Sequence, residues 1–155
     1  YINRTKFKHW GTPVDYLDPD KQRNWIYEAM KFKAAIWKIV GKKQSPAIVI
    51  EHPGADTIPT SVFVCDNNGM VVLCGATSSY FASVDLRYLW IGQRRLQGCH
   101  SGAEEDFDKY LKFMAEYKIK QPIGHIFSWS EVPLAHQLAY EDKSYYGKNV
   151  IRIVP

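Results

Sequence analysis

Of the ten glycines in this chain, no two are separated by a single residue. The G-x-G-x-x-G turn that lays a dinucleotide pyrophosphate on a helix N-terminus is therefore absent, and so is the G-x-x-x-x-G-K-S/T phosphate loop. Both turns need glycine because their backbone must approach the phosphates closely. No cofactor is expected to bind this chain alone. Cysteine is also scarce: Cys65, Cys74 and Cys99 are an odd number without C-x-x-C spacing. That argues against a disulfide framework or a thiolate zinc site, and leaves free, mostly buried thiols of an intracellular, reducing compartment as the expectation. His9, His125 and His136 stand at no metal-ligand spacing, so no metal is expected. Neither a Ser-His-Asp set nor paired glycosidase carboxylates can be found. No apolar run approaches the ~18 residues of a membrane helix. No signal peptide is visible, and the chain opens on Tyr1 rather than Met, which fits a processed precursor or a start outside this sequence. No run of five like charges occurs, and the net charge of +4 is spread among acids, so a nucleic-acid arm is not expected.

What remains is a globular composition. The 155 residues are 46% hydrophobic, enough for one real core. Five Trp and ten Tyr fill cores but also anchor interfaces. Tyr1-Ile2 reads as the end of a strand, and residues 3–17, with Gly11 and Pro13, as a loop. Asp18-Pro19-Asp20 starts a helix that runs to Gly41. Its apolar face is Ile26, Ala29, Met30, Ile36, Trp37 and Val40, interrupted by Lys33. Residues 47–50 form a strand expected to be buried on both faces. A short helix follows near 56–65, then a turn at Asp66-Asn67-Asn68-Gly69, a strand at 70–74, a helix over 85–93 and a strand over 95–98. Residues 103–117 are amphipathic, with Phe107, Tyr110, Leu111, Met114 and Tyr117 on one side. Residues 123–127 are extended, Ser130 caps a helix over 131–142, and 150–154 form a last strand. The alternation predicts an α/β fold with a mainly parallel sheet.

Three segments stand at strand ends, where open α/β sheets bind ligands. They are Glu51-His52-Pro53-Gly54, Cys74-Gly75-Ala76-Thr77-Ser78-Ser79-Tyr80, and Gly98-Cys99-His100-Ser101. Between the last two lie Arg87-Tyr88-Leu89-Trp90 and the pair Arg94-Arg95. Arginines near a helix end can hold phosphate, though such residues are more often surface charges. Small residues at 74–77 let a flat ring lie against the backbone, and hydroxyls there can bond a carboxamide.

In order and spacing these blocks resemble the crotonyl-CoA carboxylase/reductases, NADPH-dependent enoyl-thioester reductases of the medium-chain dehydrogenase/reductase superfamily. The resemblance covers nearly the whole chain. It implies a partial Rossmann-like fold, the second half of a doubly wound sheet, over residues 1–120. A C-terminal helix-strand return segment follows over 121–155. It implies that Glu51, His52, Pro53, Gly54, Cys74, Gly75, Ala76 and Thr77 are vestiges of a nicotinamide-side cofactor site. It implies that His100 stands where carboxylating members hold carbon dioxide. The chain departs from the pattern at Ser79, where the family has glycine, and at Ser101-Gly102-Ala103, where it has Phe-Ala-Asn.

Such a half fold leaves an open sheet edge and an uncovered C-terminal segment, so other protein subunits are expected against it. Two readings follow. In the first, the chain is a non-catalytic accessory subunit of a larger complex, with a mitochondrial complex as one home. In the second, it is one half of a split NADPH-dependent enoyl-CoA reductase, with NADPH bound once a partner supplies the glycine turn.

Overall fold

The computed structural model describes residues 1–11 and 17–153; Pro13 and Val154 lie outside them. The described chain falls into two compact units, 1–101 and 102–155. That division is one of compactness, whereas the boundary at 120 reflects resemblance.

The first unit opens with a 3₁₀ turn, Arg4–Lys6, and Tyr1-Ile2 joins no sheet among the described residues. Helix α1 (Pro19–Val40) starts and stops where its signals put it. Asp18 accepts hydrogen bonds from the Asp20 and Lys21 N–H groups, and Gly41 closes the helix with φ 78°. The packed face is rotated from the expected one. Trp25, 1% exposed, and the half-buried Phe32 belong to it, whereas Met30 and Val40 face solvent. The seam against the next helix follows 25, 29, 32 and 36, a stripe set by where that helix lies rather than by α1 alone. Lys33 remains at its margin with its ammonium 5.6 Å from the ring centres of both Trp37 and Phe63. Desolvation pushes its pKa down, and the two rings recover part of the lost hydration.

Strands β1 (Ile48–Glu51), β2 (Met70–Leu73) and β3 (Arg95–Gly98) form a parallel sheet in the order β1-β2-β3. Helix α2 (Ile58–Val64) links the first two strands and α3 (Leu86–Trp90) the last two. The turn before β2 closes through the Gly69 N–H to the Asp66 carbonyl at 3.1 Å, with Asn68 left-handed. Helix α3 ends at Trp90, short of the expected 93, because Gln93 turns left-handed at φ 49°. In register, Val49, Val71 and Leu96 share one face, and Ile48, Met70 and Arg95 the other. Val49 and Val71 meet a core of Ile58, Val62, Cys65, Tyr88 and Leu89. The opposite face is open: Ile48 is 63% and Ile50 67% exposed. The expectation of two-sided burial for β1 is thus corrected, since the described helices of this unit pack on the Val49–Val71 face.

In the second unit, α4 (Glu104–Glu116) carries the expected apolar side, yet Phe107, Tyr110, Leu111 and Tyr117 are exposed. Strands β4 (Ile123–Ser128) and β5 (Lys148–Arg152) pair in parallel around the buried Phe127. His125 stacks on Tyr145 at 4.6 Å. Helix α5 (Val132–Tyr140) is preceded by a 3₁₀ turn, Trp129–Glu131. Glu131 stands at the N-cap of α5 itself, and the 3₁₀ turn before it is capped by Ser128 rather than Ser130. The Ser128 N–H and hydroxyl both donate to the Glu131 carboxylate, at 2.8 and 2.7 Å, which starts the helical turn two residues earlier.

Candidate functional site

The candidate site is built at the carboxyl ends of β1 and β2 by two turns that lock together. Glu51, the last residue of β1, is 2% exposed, and its side chain points toward α2. Its carboxylate accepts the Gly54 N–H at 3.0 Å and the Thr57 hydroxyl at 2.6 Å, together with a short bond from the Ser61 hydroxyl. Three donors on one buried acceptor fold His52-Pro53-Gly54 back over the strand end. Gly54 completes that fold at φ 91°, with a β-carbon there falling 2.9 Å from the Ala76 Cα.

The second turn packs against this one. The Cys74 N–H donates to the Glu51 carbonyl at 3.0 Å. Ser78 donates to the Pro53 carbonyl through its N–H at 2.8 Å and its hydroxyl at 2.7 Å, and that hydroxyl accepts the Asp56 N–H at 3.1 Å. Gly75 fits because a β-carbon would sit 2.9 Å from the His52 carbonyl oxygen. Ser79 bridges Gly54 without a positive φ, so serine is accommodated where the resembled pattern has glycine. His52 and Thr77 are exposed on the rim.

Beside the two turns opens a cleft of about 570 Å³ lined by Arg4, Phe7, Lys8, Trp10, Pro53 and Thr77 among others. Of the residues singled out in the sequence, Pro53 and Thr77 line it; Glu51, His52, Gly54, Cys74, Gly75 and Ala76 form the turns around it. The N-terminal wall was not foreseen. It is held by edge-on packing of Phe7 and Trp10 on Phe32, and by the Lys8 N–H donating to Glu28 at 3.1 Å. The buried Trp25 indole N–H donates to the Thr60 hydroxyl at 3.0 Å, which donates to the Trp10 carbonyl at 2.9 Å. Its signal in the sequence was the cluster of aromatics in a segment without periodicity. The Glu28 carboxyl is held below its ordinary value, first by its hydrogen bond from Lys31.

His100 follows β3, whose register continues through the Cys99 N–H to the Leu73 carbonyl at 2.9 Å. Its side chain is exposed, outside the cleft, and the next residue, Ser101, is left-handed at φ 52°. Cys74 and Cys99 are exposed and only Cys65 is buried, which corrects the expectation of mostly buried thiols. Strand ends in an incompletely covered sheet remain open to solvent. Arg87 is engaged by Asp85 at 2.7 Å. Arg94 donates to the Cys65 carbonyl at 2.9 Å and, in a short bond, to the Tyr88 carbonyl, so it clamps the loop before β2 instead of standing as a free charge.

Parallel strands joined by helices, with small-residue turns clustered at their carboxyl ends, define the C-terminal part of a Rossmann-like dehydrogenase domain. The chain belongs to the zinc-binding dehydrogenase family, whose model matches residues 16–116. It is 36% identical to crotonyl-CoA carboxylase/reductase of Cereibacter sphaeroides over 98% of this chain and 35% of that protein. It is 30% identical to crotonyl-CoA reductase of Streptomyces avermitilis over 68% of this chain and 24% of that protein. The structure of crotonyl-CoA carboxylase/reductase AntE in complex with NADP superposes with a TM-score of 0.88 and 38% identity, covering 97% of this chain and 37% of that one. That of the 2-octenoyl-CoA carboxylase reductase CinF, in complex with NADP and 2-octenoyl-CoA, does so at 0.78 and 26%, over 97% and 32%. The chain thus spans about a third of the length of these relatives. The family's name refers to zinc, but among the described residues no three His, Cys, Asp or Glu side chains converge, so the residues present do not fit that ion.

Proposed function

We propose that this chain forms the nicotinamide-side half of an NADPH-dependent enoyl-CoA reductase of the crotonyl-CoA carboxylase/reductase kind. In this reading a glycine turn and a catalytic domain, on the same or another polypeptide, complete it. The observation that carries this is the interlock of the Glu51–Gly54 and Cys74–Ser79 turns. It is maintained by the Ser78 hydroxyl, which donates to the Pro53 carbonyl and accepts the Asp56 N–H, and by two close approaches that only glycine permits. The relatives named above, reductases in their names, support this reading over a non-catalytic accessory subunit.

NADPH, when bound, supplies the hydride for reducing the enoyl double bond. The residues of this chain orient and shield. Gly75 and Ala76 keep the rim low enough for a flat ring, and the exposed Thr77 hydroxyl can bond a carboxamide. Glu51 positions the rim from beneath without lining the cleft. His100 can donate a hydrogen bond to an oxygen of carbon dioxide if the completing domain encloses it. The pyrophosphate must be held elsewhere, because this chain has no glycine turn for it.

The test is to isolate the chain with its native partners. NADPH oxidation is then followed with crotonyl-CoA, with and without bicarbonate. Oxidation that Thr77→Val weakens mainly through KM for NADPH is the expected result. An intact assembly that neither oxidises nor binds NADPH would overturn the proposal and return the accessory reading.

A further inference from the structure

The cleft beside the two turns carries unpartnered charge. Of the hydroxyls that line it, that of Thr57 donates to Glu51, that of Ser78 to the Pro53 carbonyl, and that of Thr5 to the Asn3 side chain at 2.8 Å. Arg4, Lys8, Asp56 and Thr77 remain. All four are exposed, and their side chains make no hydrogen bond or ion pair among the described residues. Arg4 and Lys8 belong to the N-terminal wall with Phe7 and Trp10, and Asp56 and Thr77 to the turns across from it. That wall is fixed in advance. Asn3 caps its 3₁₀ turn by accepting the Thr5 N–H at 3.0 Å, and the Lys8 N–H is tied to Glu28. Two like charges on a fixed wall raise a local positive potential, and an anion meets them with little reorganisation. The surroundings say which anion. The planar fork of Arg4 matches phosphate oxygens, with Lys8 as a point charge beside it. Phe7 and Trp10 offer flat apolar surface to a base. The volume of about 570 Å³ suits a nucleotide and exceeds the needs of a bare ion. Asp56 repels a second phosphate from the far side and can accept a ribose hydroxyl there.

We propose that Arg4 and Lys8 are a specificity-determining pair that holds the phosphomonoester on an adenosine ribose, with the adenine against Phe7 and Trp10. Both substrates of the reduction proposed above carry that group, NADPH on its 2′ oxygen and an enoyl-CoA on its 3′ oxygen. The choice of adenosine therefore rests on that reading, whereas the phosphate-binding pair does not. No glycine turn is needed for this contact, because side chains rather than backbone N–H groups supply the donors.

The protein, isolated with its native partners, is titrated calorimetrically with adenosine 2′,5′-bisphosphate, with adenosine 3′,5′-bisphosphate and with AMP, which lacks the second phosphate. At least one bisphosphate should bind about tenfold more tightly than AMP, the worth of one charge-assisted hydrogen bond. The tighter of the two names the source, NADPH for the 2′ compound and the enoyl-CoA for the 3′ compound. R4Q and K8Q should each remove most of that preference. Both residues are exposed and unpartnered, so the variants should unfold at the parent's urea midpoint. In the parent, rising salt should weaken bisphosphate binding more than AMP binding. AMP bound as tightly as both bisphosphates, a preference unchanged in R4Q and K8Q, or one that salt leaves untouched would overturn the proposal. A preference that depends on both residues, in an assembly that oxidises no NADPH, would keep this site and remove the reductase reading. Oxidation of NADPH without any bisphosphate preference would do the reverse.

Discussion

Removing the Glu51 carboxylate tests whether the site is built from beneath. In Glu51→Ala the Gly54 N–H is left buried without an acceptor, which costs about 1–3 kcal/mol. The Thr57 and Ser61 hydroxyls are half-buried and can rotate toward water, so each loses only about 0.5–1 kcal/mol. Relief of the carboxylate's own burial offsets part of this, leaving a net loss of roughly 2–3 kcal/mol. Lost packing contributes too, at about 0.8 kcal/mol per methylene. Glu51→Gln separates the two effects, since it keeps the volume while turning amide hydrogens toward donors. Urea unfolding of both variants should show a lower midpoint at unchanged slope, with a loss of at least about 1 kcal/mol for Gln. A Gln variant within about 0.5 kcal/mol of the parent would refute the reasoning, because the turn would then rest on packing and not on the carboxylate.

Gly75→Ala places a methyl 2.9 Å from the His52 carbonyl oxygen, and should cost about 1–3 kcal/mol and alter amide shifts in both turns, read by denaturation and NMR. Glu28 and Asp85 have carboxyl pKa values depressed below 4.5 and 3.8, first by Lys31 and by Arg87 respectively. Their contribution is therefore complete above those ordinary values and is lost as pH falls through the lower folded ones. Urea midpoints measured from about pH 6 to about pH 3 should fall less steeply in the double variant E28Q/D85N than in the parent; identical slopes would contradict the assignment.

Much of this molecule is written in short stretches. Asp18 and Gly41 bound α1 through bonds to nearby residues, and the 66–69 turn closes on itself. The order of strands and helices follows from the same local chemistry, and the resemblance of three strand-end blocks pointed to the enzyme family. Ser130 carries a cap signal in the sequence, but either serine can begin a helical turn, and the choice depends on which one Glu131 reaches.

Long-range packing settled the rest. Trp25 entered the seam because α2 lies against that side of α1, and Ile48 and Ile50 stayed exposed because the described helices of the first unit pack on the other face of the sheet. The carboxylate of Glu51 turns toward α2 because three donors meet it there, a direction that its place at a strand end does not reveal. Arg4, Lys8 and Trp10 face Pro53 and Thr77 across a cleft only after the chain has passed through α1 and β1. Periodicity and capping act over a few residues and are legible there. Burial and juxtaposition depend on partners dozens of residues apart, and those exist only once the strands have paired.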